Sequence, residues 1–276
     1  MAESNMMDKA VILARGLGTR MRKDDEQVEI SQEQAAVAET GVKAMMPIER
    51  PFLDYVLHDL AEAGYRRICL VIGPEHGAVR RYYGQTVTCE RLSIEFAIQE
   101  KPLGTADAVL AAEKFAGRDH ILVINSDNHY PREVLRGLRE LNDENGLAAF
   151  EREAMIAGSN IPAQRITRFA VVRIGKDGYM TDIIEKPDER TLKSLKEPIC
   201  VSMNCWRFGP RIFEACRAIK PSVRGELELP DAVQYALDFL GERFKALVVK
   251  AAVLDMSYRA DVPLVAEKLA GQEVHL

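Results

Sequence analysis

The sequence predicts an α/β fold in which a mainly parallel sheet is flanked by helices. Short apolar runs typical of strands alternate with amphipathic stretches typical of helices, and this succession indicates repeated βα units. The chain has 276 residues, of which 47% are hydrophobic and 29% charged, a balance that suits a large globular domain with a substantial core. Folds of this kind bind ligands at the carboxyl ends of their strands.

The first half of the chain carries the clearest alternation. One helix is marked by Pro51 in its first turn and by Gly64 after its end, with its apolar residues on one face. In order, we predict a strand at 10–14, a helix at 51–63, a strand at 68–72, a helix at 75–83, a strand at 94–98, a helix at 105–115, a strand at 121–124 and a helix at 131–141.

The second half has a different pattern, which begins with a hairpin. Residues 169–174 and 181–184 read as its strands, with the turn at 176–178. Further elements are predicted as helices at 210–218, 228–240 and 261–270 and strands at 244–249 and 251–255. We expect residues 1–276 to form one domain.

Residues 22–42 are charged and rich in Gln and Ala. Two interpretations stay open for this segment. It is either a solvated surface excursion with a helix over 31–39, or a lid that orders over the substrate, since long loops beside sites are often functional.

Composition excludes several classes of protein. The net charge of −5 argues against a general nucleic-acid binder. No apolar run approaches the roughly 18 residues of a membrane span, and the polar start of the chain predicts no signal peptide. The five cysteines include no Cys-x-x-Cys pair, which argues against a disulfide framework or structural zinc. We therefore expect a cytoplasmic protein that binds neither nucleic acid nor membranes.

The most informative segment is residues 9–21, where an apolar strand breaks into a loop with two glycines, a threonine and Arg20. Glycine lets backbone N–H groups approach an anion closely, and the arginine adds positive charge. A dinucleotide fingerprint would need glycine in place of Met21, and the Gly-Lys-Ser/Thr of a Walker A loop is missing. The segment thus predicts phosphate binding, although neither generic phosphate loop fits.

Residues 13–21, Leu-Ala-x-Gly-x-Gly-Thr-Arg-Met, resemble the nucleoside-triphosphate loop of the sugar-1-phosphate nucleotidylyltransferases. Other motifs of this family are matched in the same order, as far as residue 261. They are Lys-Ala-Met-Met-Pro-Ile at 43–48, Gln-Glu-Lys-Pro-Leu-Gly-Thr-Ala at 99–106, Asn-Ser-Asp at 125–127, Glu-Lys-Pro at 185–187, Asn204, Arg-Gly-Glu-Leu-Glu-Leu-Pro-Asp at 224–231, and Asp255 with Asp261. The resemblance implies a Rossmann-like three-layer α/β/α fold with a mixed sheet, of the nucleotidyltransferase (glycosyltransferase-A-like) type.

The resemblance also implies a role for each matched residue. The nucleotide-binding residues would be Ala14, Gly16, Gly18, Thr19, Gln99, Gly104 and Thr105, and the catalytic residues Arg20, Lys43 and Lys186. The sugar phosphate would be bound by Ala170, Glu185, Lys186 and Asn204, and Mg²⁺ by Asp127 and Asp255. Residues 1 to about 130 would form the nucleotide-binding half, and residues from about 131 to 276 the sugar-phosphate-binding half.

In the implied reaction, the phosphate oxygen of a sugar 1-phosphate attacks the α-phosphorus of a nucleoside triphosphate and pyrophosphate leaves. The nucleophile is already anionic, so the protein has mainly to offset the repulsion between two polyanions and align them. Gln99 and Gly104 are spaced as in members that read uracil or thymine, which favours UTP or dTTP, although guanine-using members share Leu-Gly-Thr-Ala. Many members are dimers or tetramers, which leaves a homo-oligomer open.

Other interpretations stay open at this point. Asp127 suits a helix cap, Lys43 a solvated lysine, Lys186 a surface ion pair, Asp255 a turn cap and Asn204 a core amide. The whole chain also suits a nucleotidyltransferase for a polyol or choline phosphate, or a regulatory NDP-sugar-binding subunit without activity.

The chain departs from the family's pattern at several positions. Arg15 stands where the family usually has Gly or Ala, and Ala44 replaces a proline. Phe169 and Ala170 replace Tyr-Gly, and residues 257–259 replace Gly-Thr-Pro. Because the sugar side departs more than the phosphate side, we expect an active enzyme that uses an uncommon sugar phosphate.

Overall fold

The computed structural model describes residues 6–23, 28–185, 187–195 and 197–276. The strands are β1 Lys9–Leu13, β2 Arg67–Ile72, β3 Ser93–Ile98, β4 Ile121–Asn125, β5 Asn128–His129, β6 Asn145–Glu151, β7 Val171–Ile174, β8 Met180–Ile184, β9 Cys200–Phe208, β10 Phe244–Val249 and β11 Leu254–Asp255. The helices are α1 Gln32–Thr40, α2 Phe52–Glu62, α3 Gly77–Arg81, α4 Thr105–Ala111, α5 Glu113–Ala116, α6 Arg132–Glu140, α7 Arg152–Gly158, α8 Ala163–Ile166, α9 Glu189–Ser194, α10 Ile212–Ala218, α11 Leu229–Leu240 and α12 Asp261–Leu269. A 3₁₀ turn at Lys43–Met45 and a π-helical turn at Tyr82–Thr86 complete the described elements.

The described strands form a mixed sheet of nine strands, in the order β10-β6-β9-β4-β1-β2-β3, with β7 beside β9 and β8 beside β7. Strands β4, β1, β2 and β3 are mutually parallel, as the βα succession predicts. Strand β9 runs antiparallel to β4, β6 and β7. The short strands β5 and β11 pair separately from the main sheet. The predicted α/β class with a mixed sheet is confirmed.

The sheet is covered by helices on both faces, as strand β1 illustrates. Its side chains alternate: Ala10 and Ile12 pack with α2, whereas Val11 and Leu13 pack with α4 and α11. Every residue of β1 is buried. A strand buried on both faces reads as a continuous apolar run rather than an alternating one, which is how this strand appears in the sequence.

Helix α2 has the structure that its sequence predicts. Pro51 precedes it, and its predicted apolar face is wholly buried in the core that includes Ile12. Burying each large aliphatic side chain contributes about 1.5–3 kcal/mol, so this face anchors the helix to the sheet.

Most predicted elements are confirmed within a few residues, including the hairpin of β7 and β8. Two differences stand out. Strands β6 and β9 were not predicted, although both are interior strands of the sheet. The strand expected at 251–255 is confined to Leu254–Asp255. Segment 22–42 contains α1, close to the expected helix, while residues 24–27 of that segment lie outside the described range.

The parallel strands β1, β3 and β4 end at the same edge of the sheet and place their loops together there. The backbone N–H of Ser126, after β4, donates to the carbonyl of Leu13 at 3.1 Å. This bond joins the loop after β4 to the end of β1, where the glycine-rich loop begins. In the part of the chain that the structure describes, every helix is too short or too polar to cross a bilayer.

Candidate active site

A cleft of about 410 Å³ opens at this edge of the sheet. Most of the residues predicted to act together line it: Ala14, Gly16, Gly18, Thr19, Arg20, Lys43, Gln99, Gly104, Thr105, Asp127 and Asn204. The described residues Ala170, Glu185 and Asp255 are not part of this lining. Lys186 lies outside the described residues.

The glycine-rich loop after β1 is fixed at both ends. The Ala14 N–H donates to the carbonyl of Val71 at 2.8 Å, which continues the pairing of β1 with β2. Gly18 has a φ of +60° and packs against Gly41, so a Cβ there would lie 2.7 Å from the Gly41 carbonyl carbon. Only glycine fits this combination of left-handed backbone and close backbone contact.

Arg20, at the end of the loop, is exposed and reaches across the cleft to Tyr258. Its guanidinium carbon lies 5.3 Å from the centre of the Tyr258 ring. Arg165 stacks on the same ring at 4.5 Å and pairs with the carboxylate of Asp255. Tyr258 therefore holds two arginines at the end of the cleft where the two aspartates lie, an arrangement favoured by cation–π attraction.

Lys43 lies in the 3₁₀ turn, and its ammonium forms an ion pair with Asp127. Both side chains are mostly buried, at 13% and 17% exposed, so the pair is shielded more than a surface ion pair. The 3₁₀ turn follows α1, and the Lys43 N–H donates to the Gly41 carbonyl at 3.0 Å. The same segment thus positions the lysine and contacts Gly18.

Helix α1 contacts both the loop after β1 and the turn that carries Lys43. Ser31 and Gln34 form a reciprocal capping box at its start, which satisfies backbone N–H groups that would otherwise lack partners. The Gln34 side chain also donates to the Pro47 carbonyl at 2.8 Å, and Arg22 donates to the Thr40 carbonyl at 2.7 Å. The helix therefore connects the loop after β1 to the turn that carries Lys43.

Gln99 and Gly104 meet at the other end of the cleft. The Gln99 side-chain N–H₂ donates to the Gly104 carbonyl at 3.0 Å and to the Asp107 carboxylate at 2.8 Å. Both of its N–H groups are thereby used, and its carbonyl oxygen is the group left to accept from a ligand. Gln99 is buried and is held in one orientation by these bonds.

The loop that carries Gly104 is joined to the segment around Leu227. The Leu227 N–H donates to the Leu103 carbonyl at 2.7 Å, and the Ala106 N–H donates to the Leu227 carbonyl at 2.9 Å. The Thr105 hydroxyl accepts from the Leu229 N–H at 2.8 Å, so this predicted nucleotide-binding residue also caps α11. Gly104 has a φ of +118°, a conformation that L side chains rarely adopt.

The two predicted metal ligands lie side by side but differ in exposure. Asn128, next to Asp127, pairs with Asp255 between β5 and β11, and the Met256 N–H donates to the Asp127 carbonyl at 2.8 Å. The Asp255 carboxylate is buried and accepts from Asn128 at 2.9 Å and from Ser257 at 3.1 Å. Burial first, and then the nearby charge of Asp127, raise the pKa of Asp255.

These two carboxylates fit a divalent cation. The charge of Asp127 disfavours the charged form of Asp255, and a bound cation would relieve that repulsion. In the described ranges, no three Asp, Glu, His or Cys side chains form a closed metal site. Proteins often hold Mg²⁺ through one or two carboxylates together with substrate phosphates, and the carboxylates of Asp127 and Asp255 match that donor set. Lys43 and Arg165 are the cations that now accompany the two aspartates.

Asn204 lies level with the end of β4, in the middle of β9. Its φ of +53° is the one positive value among the described residues other than glycine. Its carbonyl lies 3.4 Å from the Tyr130 hydroxyl, and its side-chain oxygen lies 3.5 Å from Trp206 Nε1. Asparagine tolerates this left-handed backbone better than most residues, and the strain lies at the cleft wall, as is common at functional sites.

Two further residues predicted for the sugar phosphate, Ala170 and Glu185, lie outside the lining of the cleft. Ala170 is buried, and its carbonyl accepts from the Ser202 N–H at 2.8 Å, so its place is in the sheet packing. Glu185 is exposed after β8. The pKa of Arg224 is raised mainly by its hydrogen bond to Glu228, with a smaller effect of the Glu185 charge, which places Glu185 near segment 224–228.

Sequence reasoning missed the residues that surround Asp255. Arg165 lies in a segment without a matching motif, and Tyr258 lies where the chain departs from the family's Gly-Thr-Pro. Arg165 bonds to both Asp255 and Asp261. The Asp261 carboxylate also accepts from the Ser257 and Tyr258 N–H groups, at 2.9 Å and 2.7 Å. The pairing of Asp255 with Asp261 noted in the sequence thus corresponds to one connected cluster.

Known proteins share both the fold and the sequence pattern. The solved structure of a UDP-glucose pyrophosphorylase in complex with UDP-glucose superposes with a TM-score of 0.74 at 19% identity, covering 97% of this chain and 100% of that one. A glucose-1-phosphate thymidylyltransferase from Streptomyces antibioticus is 29% identical over 255 residues, which are 92% of this chain and 64% of that protein. This chain therefore spans less than two thirds of that relative's length.

A second relative matches over nearly its whole length. It is the UTP–glucose-1-phosphate uridylyltransferase AglF of Haloferax volcanii, 25% identical over 254 residues, with 92% of this chain and 93% of that protein covered. The family model described as nucleotidyl transferase matches residues 9–249, from β1 to the end of β10. This match covers most of the chain, and it includes the glycine-rich loop, Lys43, Gln99 and Asp127. The chain belongs to the nucleotidyl transferase family.

Proposed function

We propose that this protein transfers a uridylyl or deoxythymidylyl group from UTP or dTTP to a sugar 1-phosphate, with Mg²⁺, to give an NDP-sugar and pyrophosphate. One observation carries the proposal. A single cleft has the Gln99–Gly104 pair at one end, the Lys43–Asp127 pair at the other, and the glycine-rich loop beside both. A nucleotide laid along it would have its base at the first pair and its α-phosphate at the second.

The base end favours uracil or thymine. Because the Gln99 N–H groups are used within the protein, the free carbonyl oxygen of Gln99 suits a base that offers an N–H donor. Uracil and thymine offer such a donor at N3, whereas the N3 of cytosine is an acceptor. The relatives named for thymidylyl and uridylyl transfer support the same choice.

The other end provides charge for the transfer step. Lys43 lies against Asp127 and would turn to the α-phosphate when a triphosphate enters, and Arg20 would contact the outer phosphates. Asp127, with Asp255 behind it, would hold Mg²⁺, which neutralises phosphate charge and orients the reacting groups when bound. Fixed charges aimed at the transferring phosphoryl group stabilise the transition state without reorganisation during the reaction.

The acceptor is proposed to be a sugar 1-phosphate bound on the Asn204 side of the cleft. Asn204 lines the cleft beside β4 and is held in a strained conformation. Lys186 and Glu185 keep their predicted roles toward the sugar phosphate. An uncommon sugar phosphate stays part of the proposal.

The test is a pyrophosphate-release assay of UTP, dTTP, GTP and CTP against a panel of sugar 1-phosphates, polyol phosphates and phosphocholine. We expect release that requires Mg²⁺ and a sugar 1-phosphate and that is fastest with UTP or dTTP. Pyrophosphate release with a polyol phosphate or phosphocholine, and with none of the sugar 1-phosphates, would indicate a nucleotidyltransferase for non-sugar phosphates. Binding of a nucleoside triphosphate without turnover on any acceptor would indicate a regulatory subunit.

Replacing Gln99 by alanine should weaken UTP binding and relax the choice of base. The variant loses one ligand hydrogen bond and the anchor of the Gly104 loop, so we expect the Kd for UTP to rise about 10-fold. The ratio of Kd for CTP to Kd for UTP should fall toward one. Calorimetric titration of both nucleotides measures this ratio.

Gln164→Ala is the matched control, because this glutamine is exposed on α8 and is not part of the cleft lining. Its nucleotide affinities should equal those of the unmodified protein. Unchanged UTP and CTP affinities in Gln99→Ala would contradict the base-reading role.

A further inference from the structure

Arg15 is the residue of the glycine-rich loop that the proposed function leaves without a role. It is the second residue after β1, lines the cleft and is 8% exposed. Its Nη2 donates to the Glu100 carbonyl at 3.2 Å and lies 3.4 Å from the Glu75 carboxylate. Both contacts are long for hydrogen bonds of a charged group, so they hold the guanidinium only weakly.

The other two nitrogens of the Arg15 guanidinium, Nε and Nη1, are buried. Neither Nε nor Nη1 has a hydrogen-bond partner among the residues that the structure describes. The Glu75 side chain is half exposed and therefore neutralises the buried guanidinium only partly. A buried donor that lacks an acceptor costs free energy, and an acceptor that arrives with a ligand recovers that cost.

The position of Arg15 identifies the part of the nucleotide that it faces. Glu100, its partner, follows Gln99 in the chain, and Glu75 lies in the loop after the neighbouring strand β2. Arg20, in the same loop, extends instead to Tyr258, at the end of the cleft near Asp255. The two arginines thus divide between the ends of the cleft, and Arg15 belongs to the end where the base would lie.

Gln99 can pair with only one of the hydrogen-bonding groups on the edge of uracil or thymine. The Gln99 carboxamide offers only its carbonyl oxygen, which matches the N3–H of uracil or thymine. The two base carbonyls that flank N3 then need donors from elsewhere. The guanidinium of Arg15 lies at Glu75 and Glu100, a side chain's length from the loop backbone, so with the base at Gln99 it would stand nearer the carbonyl that is farther from the ribose. That carbonyl is O4.

We propose that Arg15 is a specificity-determining residue that donates a hydrogen bond to O4 of uracil or thymine. This inference rests on the proposed function, since it needs a nucleotide in the cleft with its base at Gln99. Cytosine carries an amino group at position 4, which would meet the N–H donors of Arg15 donor to donor. Arg15 therefore adds to the preference for UTP and dTTP over CTP.

The test compares Arg15→Met and Arg15→Lys with the unmodified protein by calorimetric titration of UTP, CTP and inorganic tripolyphosphate in one magnesium-containing buffer. Arg15→Met should weaken UTP binding about 10-fold and leave the affinities for CTP and tripolyphosphate within about twofold. Arg15→Lys keeps one charged donor and should lose less UTP affinity than Arg15→Met, again without a loss for CTP.

Arg80→Met is the matched control, because Arg80 is an exposed arginine of α3 that donates to the Pro74 carbonyl and is not part of the cleft lining. It should change none of the three affinities. Melting temperatures of all variants are measured alongside. If Arg15→Met does not fold, the loss of UTP affinity relative to CTP is judged from Arg15→Lys.

Several results would overturn the inference. An equal loss of UTP and CTP affinity would mean a contact with the ribose or phosphates, and weakened tripolyphosphate binding would identify a phosphate contact. Unchanged affinities for all three ligands in Arg15→Met would leave Arg15 a structural residue. If the unmodified protein binds tripolyphosphate and binds UTP no more tightly, the proposed function fails, and this inference fails with it.

Discussion

We expect Asp127→Asn to lower kcat for NDP-sugar formation about 1,000-fold, because a cation held by this carboxylate would supply several kcal/mol of transition-state stabilisation. Asp127 lines the cleft and pairs with Lys43, whereas Asp255 is buried behind it. The substitution also removes a negative charge beside the site of the triphosphate. The affinity for UTP without Mg²⁺ should therefore stay the same or increase while turnover is lost.

A variant that keeps its UTP affinity while it loses turnover still has a folded nucleotide site. The combination therefore distinguishes a role in the reaction from a loss of structure. Steady-state kinetics over a range of Mg²⁺ concentrations, together with titration of UTP in EDTA, measure both quantities. Asp238→Asn, on the exposed side of α11, is the matched control and should keep full activity. A variant at Asp127 that keeps normal kcat would show that this carboxylate does not hold the essential metal.

The second large effect is expected at Gly18. Gly18→Ala places a Cβ against the backbone of Gly41 and forces an L side chain into a left-handed conformation. The three atoms that this Cβ would meet all belong to the Gly41 backbone, so the loop or α1 must shift. We expect a loss of stability of about 3 kcal/mol or more. Activity should fall at least about 100-fold, because small displacements of positioning groups are costly in enzymes.

Two other glycines separate the causes of this effect. Gly117 has a φ of +63° but open space around its Cβ position, so Gly117→Ala should lose only the conformational part, about 1 kcal/mol, with full activity. Gly16 has neither a positive φ nor a neighbour within 4 Å, and Gly16→Ala should leave the melting temperature unchanged. Urea unfolding of the three variants gives the comparison. If Gly18→Ala is no less stable than Gly117→Ala, the contact with Gly41 is not tight.

Strands β1, β2 and β4 could be predicted because each is largely a continuous apolar run. Strand β1 is buried on both faces, and so are the strands beside it, which leaves a strong local signal. Helix α2 was equally clear, since its apolar face and its end signals agree.

Strands β6 and β9 were missed for physical reasons. Strand β6 begins with Asn145-Gly146, a pair typical of turns, and continues with alanines that favour helices. Strand β9 carries Arg207 within it, yet that arginine is buried and donates to the carbonyls of Leu138 and Arg139. Tertiary contacts satisfy a charge that, in the sequence alone, argues against a central strand.

The candidate site likewise contains some residues that the sequence predicts and others that it does not. Gly18, Lys43, Gln99 and Asp127 were predicted because each belongs to a contiguous motif, and the structure brings all four to one cleft. The partners of Asp255 were not predictable, because Arg165 reaches it from a different part of the chain. Contacts between distant segments depend on packing and leave no spacing to read in the sequence.

The central claim is that a sugar 1-phosphate attacks the α-phosphorus of the nucleotide. ³¹P NMR of a reaction with UTP, Mg²⁺ and the sugar 1-phosphate that gives the fastest pyrophosphate release tests it directly. We predict that the UTP signals give way to the two coupled resonances of an NDP-sugar and to pyrophosphate, in equal amounts, and that Asp127→Asn leaves the spectrum unchanged over the same time. Formation of UDP and phosphate, or of UMP and pyrophosphate without an NDP-sugar, would contradict the account.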